Sequence, residues 1–191
     1  EMYFNPSIKQ WELDKQAIQD AKEEKSKDEE NTLLVEDEAA SKQNIKSVLN
    51  KRRHLVVLAQ NQIGLNNLFK LISTSFTQPQ YYKFPRVDYE LLEKHNEGLI
   101  VSSACLGGVL SGDYWENKDK GDEVVLVAMR QTITKMMNIF GDRFYGELQW
   151  NNVPDQHKVN KFIIKLSSEM GFKLVSTADS HYPIKDLWQS R

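Results

Sequence analysis

A single cysteine, Cys105, in 191 residues excludes an internal disulfide framework and leaves one thiol for packing, chemistry or a metal. There is no surplus of charge of one sign either: 25 Lys and Arg stand against 27 Asp and Glu, a formal net charge of -2. That balance excludes a chain whose main task is to wrap the phosphate backbone, because such binding relies on a marked basic excess. Any nucleic acid is expected to be held by other domains. No apolar run is long enough to span a bilayer, and the opening EMYFNPSIKQ has neither a basic n-region nor an apolar h-region. The expectation is a chain with no membrane partner, placed in the cytoplasm. Aromatic residues are missing between Trp11 and His54, where Lys, Glu and Asp dominate. This stretch reads as a charged insertion at about 11–53, a solvated helix or loop with little apolar surface to bury.

What is present is a core-forming sequence, 40% hydrophobic and of a length suited to one domain or a large part of one. After the charged stretch, strand-like and helix-like patterns alternate. HLVVLAQ is followed by GLNNLFKLISTSF, GLIVSSA by DEVVLVAMRQTITKMMNIF, RFYGELQW by DQHKVNKFIIKLSSEMGF, and the series closes on KLVSTAD. Near-continuous apolar strands between helices with spacing such as Val159, Phe162, Ile163 and Leu166 predict an α/β fold with a mainly parallel sheet. Ligands of such folds collect at the carboxyl ends of the strands.

Residues with ligand chemistry lie on these strands or at their ends. His54 heads HLVVLAQ, and Cys105 follows GLIVSSA directly and precedes Gly107 and Gly108. Asp179 and His181, two residues apart after the last strand, can turn to the same side of an extended chain. Carboxylate oxygen, imidazole nitrogen and thiolate sulfur together suit Zn²⁺, and the oxygen and nitrogen donors also suit Mn²⁺ or Fe²⁺. Each residue has a plainer alternative: a buried Cys packs as a small hydrophobe, a strand-edge His bonds to backbone, and Asp-x-His after a strand can be a capped loop.

The segments HLVVLAQNQIGLNNLFKLIS, YYKFPRVDYELLEKHNEGLIVSSACLGG, FYGELQW and LVSTADSHYP resemble the PHP (polymerase and histidinol phosphatase) domain of bacterial or phage-like replicative DNA polymerase III alpha subunits. The resemblance covers most of the chain from His54 onward, and EMYF looks like the tail of the family's Gly-x-Glu element. It implies a distorted (β/α)7 barrel holding a cluster of Zn²⁺, Mn²⁺ or Fe ions, with ligand roles for Glu1, His54, Cys105, Asp179 and His181. The family's early His-x-His and Thr-Asp-His elements would precede Glu1. The chain is therefore expected to be a partial PHP domain over 1–191, an incomplete barrel lacking its first strands, with the remainder of a polymerase alpha chain as partner.

The implied chemistry is metal-dependent phosphoester hydrolysis of the 3′-5′ exonuclease or pyrophosphatase type. The rivals are a scaffold that docks a proofreading exonuclease subunit and a free-standing PHP phosphoesterase. With each metal position lacking partners, the isolated chain is expected to bind metal weakly and to hydrolyse at background. Glu147, on the strand FYGELQW near Asp142 and Gln149, is a candidate for orienting a ligand; the plainer expectation is a strand carboxylate paired with Lys or Arg.

Overall fold

The computed structural model describes residues 1–28 and 50–178, together with Ser180, Ile184, Asp186 and Leu187. The six strands among the described residues are β1 (Met2–Phe4), β2 (Arg53–Ala59), β3 (Arg86–Val87), β4 (Leu99–Ser102), β5 (Phe144–Gln149) and β6 (Lys173–Thr177). They form one sheet in the order β3-β1-β2-β4-β5-β6. The described helices are α1 (Ile8–Asp28), α2 (Gln62–Ser75), α3 (Tyr89–Lys94), α4 (Val109–Asn117), α5 (Asp122–Phe140) and α6 (Pro154–Met170).

Side chains alternate across a strand, and β2 shows the resulting packed and outward rows. On β2, Arg53, Leu55 and Val57 are buried while Leu58 is 57% exposed. Leu99 and Val101 of β4, with Phe144 and Leu148 of β5, join Leu55 and Val57 in one hydrophobic core. The helices contribute residues at helical spacing: Val125, Met129, Ile133, Met136 and Phe140 from α5, and Val159, Phe162, Ile163 and Leu166 from α6. Pro154 opens α6 where its missing N–H costs no bond, and Gly171, at a φ of 80°, closes it in the left-handed conformation.

The direction of β2 departs from a simple parallel series. β1 and β3 are parallel, as are β4 and β5, and β5 and β6. β2 instead runs antiparallel to both of its neighbours, β1 and β4. Val56 therefore lies opposite Ser102 and Ala59 opposite Leu99, so the beginning of β2 sits beside the end of β4. The reversal carries His54, at the start of its strand, to the carboxyl end of the neighbouring one.

Within the charged stretch, α1 is fastened at its start. Trp11 is buried, its ring 4.9 Å from that of Tyr82 and 4.1 Å from the Arg86 guanidinium. Burial lowers the pKa of Arg86 to about 10. Further along α1 the described side chains are exposed or half-buried, Leu13 being 64% exposed. The remainder of the predicted insertion, 29–49, lies outside the described residues.

Candidate metal centre

Tyr3 and His54 face each other across β1 and β2, with their rings in edge contact at 5.4 Å. Glu1, two residues before Tyr3, falls on the same side of the extended chain. Its Oε1 lies 2.7 Å from Nδ1 of His54. The Cys105 Sγ lies 3.5 Å from that same Nδ1 and accepts the Gly107 N–H at 3.4 Å. One donor atom from each of Glu1, His54 and Cys105 falls within 4.8 Å of the others. The His54 and Glu1 side chains are 33% and 51% exposed, so the group opens to solvent.

The backbone explains how Cys105, three residues beyond β4, reaches β2. Ala104 takes the left-handed conformation at a φ of 59°, uncommon for a residue with a side chain, and turns the chain back. The Gly107 carbonyl then accepts the His54 N–H at 2.7 Å, and Gly108 bridges to His54 in parallel fashion. Gly108 passes so close to the start of the turn that a Cβ there would lie 2.0 Å from the Ser103 carbonyl oxygen. Only glycine fits such an approach.

One nitrogen, one sulfur and one carboxylate oxygen converging from three segments form a donor set that a divalent transition metal accepts. Asp179 and His181 lie outside the described residues; β6, which ends at Thr177, is the strand that leads to them.

Glu147 behaves differently from the paired carboxylate expected of it. It is 6% exposed, and no described Lys or Arg forms an ion pair with it. The donors are neutral instead: the Ser102 hydroxyl to Oε2, Thr177 Oγ1 to Oε1 at 2.7 Å and Gln149 Nε2 to Oε1 at 3.1 Å. Asp142 is a surface residue paired with Lys173 at 3.3 Å. Gln149 is buried; its side-chain amide donates to Glu147, and its backbone carbonyl accepts from Asn160 Nδ2. Sequence reasoning overlooked Ser102, Thr177 and Tyr3; the parity that Ser102 and Thr177 share with Glu147, on strands beside β5, was the available signal.

An α/β domain with a mixed donor cluster at the end of its sheet is the class that the geometry defines. The family model of the PHP domain matches residues 11–151, and the chain belongs to this family. Among its relatives, the DNA polymerase III subunit alpha of Aquifex aeolicus is 42% identical over 129 residues, which is 68% of this chain and 10% of that protein. The subunit of Borreliella burgdorferi is 40% identical over 129 residues, again 68% and 10%. That of Campylobacter jejuni is 36% identical over 139 residues, 71% of this chain and 12% of the relative. The chain thus spans about a tenth of the length of these relatives. No described helix is long and apolar enough to cross a membrane.

Proposed function

We propose that this chain is part of the PHP domain of a replicative DNA polymerase alpha chain, and that Glu1, His54, Cys105, Asp179 and His181 are ligands of its divalent metal cluster. The six-stranded sheet is, in this reading, one section of a distorted (β/α)7 barrel. The observation that carries the proposal is the convergence of Glu1, His54 and Cys105 within 4.8 Å from three separate segments. Ions of Zn²⁺, Mn²⁺ or Fe held there supply an activated water and a clamp for phosphoryl oxygens, the chemistry of phosphoester hydrolysis.

The protein's own part is to deliver and orient the donors. The β1–β2 pairing sets Glu1 beside His54, with Tyr3 against the imidazole. The Cys105 turn brings the thiol to the same nitrogen. Glu147, with its shell of hydroxyl and amide donors, supports the adjoining strands β4 and β6. The substrate class is a phosphoester or phosphoanhydride, as at a 3′ DNA end or in pyrophosphate, and the other polymerase domains hold the DNA; docking of a proofreading exonuclease subunit belongs to the rival scaffold reading.

The test is a Zn²⁺ and Mn²⁺ titration of the 191-residue chain, with release of nucleotide from a labelled 3′ end measured on a longer polymerase alpha chain that contains it. Metal binding weakened by Cys105→Ala, with metal-dependent hydrolysis lost in the same variant, is the expected result for a catalytic domain. Metal binding with hydrolysis at background supports the scaffold reading. An affinity that Cys105→Ala leaves unchanged overturns the ligand set.

A further inference from the structure

We infer that Arg53 is a positioning residue for this centre: with Asp113, it locks α4 to β2 and so holds the Cys105 turn at bonding distance from His54. The inference rests on the ligand reading of His54 and Cys105 and assigns a role to a residue that touches neither metal nor substrate.

Arg53 precedes His54 and, by strand alternation, sends its side chain to the opposite face of the sheet. There it is 6% exposed. Its Nη1 donates to the Val109 carbonyl at 2.9 Å and to Asp113 Oδ1 at 2.7 Å, and its Nη2 donates to Glu116 Oε1 at 2.8 Å. All three acceptors belong to α4, the helix that begins immediately after the Cys105 turn. One planar guanidinium thus spans the first two turns of that helix, a task suited to its forked donors. Gly112 lets α4 lie directly on the fork, since a Cβ at that position would fall 2.3 Å from Arg53 Nε.

The same helix grips the turn from the other side. Ser111 Oγ donates to the Cys105 carbonyl at 2.9 Å, and Trp115 Nε1 donates to the Leu106 carbonyl at 2.9 Å. The His54 N–H, donated to Gly107 at 2.7 Å, completes a closed circuit from β2 through Arg53, α4 and the turn back to β2. Stability alone is a poor reason for this arrangement. A buried ion pair commonly does no better than apolar residues of similar volume, and here the Arg53 Nε has no partner among the described residues. What apolar replacements cannot do is fix the rotation and height of α4 over β2.

Replacing both partners, Arg53→Met with Asp113→Leu, separates the two roles. Glu116 is not stranded, because it keeps Lys51 at 3.0 Å. Co²⁺ is titrated into the parent and variant chains, with the thiolate-to-cobalt charge-transfer band and the dissociation constant as readouts and the thermal midpoint measured in parallel. The expected result is an unchanged or raised midpoint, affinity weakened by about 10- to 100-fold, and a reduced thiolate band, the loss typical of residues that orient ligands. A variant with the parent's affinity and band overturns the positioning role while leaving the ligands in place. A parent chain with no thiolate band overturns the ligand reading itself. Should the double variant not fold, Arg53→Lys, which keeps the charge but cannot span Val109, Asp113 and Glu116, carries the test with the same expected loss; parental affinity in that variant overturns the inference.

Discussion

On the β1–β2 side of the sheet, ionisable donors are left open to solvent and turned toward one another; on β5, a carboxylate is buried and covered by neutral donors. Glu1, His54 and Cys105 converge with 51% and 33% exposure of the first two side chains. Glu147 is 6% exposed and accepts from Ser102, Gln149 and Thr177. The first group has coordination to spare, whereas the second has its lone pairs used and acts as a cross-tie between β4, β5 and β6. Ligand-type chemistry in a sequence therefore does not distinguish the two; exposure and partner type do.

The sharpest way to break the comparison is to remove one side chain from each region. His54→Ala should weaken Zn²⁺ binding by more than about 100-fold, beyond the range for residues that only support a ligand. Its half-exposed imidazole should cost the fold less than about 1 kcal/mol. Isothermal titration and a urea melt of the same variant check both statements.

Glu147→Ala should show the reverse pattern. Three donors lose their common acceptor, so the fold should lose about 2 kcal/mol while metal affinity falls by no more than about tenfold. A melt midpoint unchanged from the parent would put Glu147 on the same footing as the open cluster.

A third effect concerns two tyrosines packed in or against the core, at high pH. Burial pushes the Tyr89 phenol up to about 12, and burial with the Asp155 carboxylate beside it does the same for Tyr114. An unfolded tyrosine ionises near 10, so between about 10 and 12 the folded chain holds protons that the unfolded chain has released. The stability that these two phenols contribute is fully present below about pH 10 and is lost as pH rises through about 12. Ultraviolet titration should show two tyrosines ionising only near that upper value, and unfolding in urea should bring them back toward 10.

Much of this architecture could be read along the chain. The apolar run HLVVLAQ becomes β2, and the spacing of Val159, Phe162, Ile163 and Leu166 becomes the buried side of α6. In each case the signal is local: a strand or helix of a given period must bury one row of side chains. Helix α4 was harder, because its Gly112 and mixed polar residues weaken any apolar stripe, and its packing on Arg53 is set by an ion pair 60 residues apart in sequence. The short β1 gives too few residues for alternation to register.

The candidate site divides along the same line. The residue types at Glu1, His54 and Cys105 were visible as chemistry, and the resemblance to the PHP family rested on segments that any reader of the chain can see. That the three meet was decided by tertiary structure, since it depends on β2 running against both its neighbours and on the left-handed Ala104 turning Cys105 back toward it. The neutral shell of Glu147 was equally invisible, because it is built across three strands whose register no local pattern records. Sequence by itself determined which residues carry ligand chemistry and which rows of each element must be buried, for both follow from side-chain type and backbone period. Only the tertiary structure decided which of those side chains share a site, because strand direction and register are set by pairings between residues far apart in the chain.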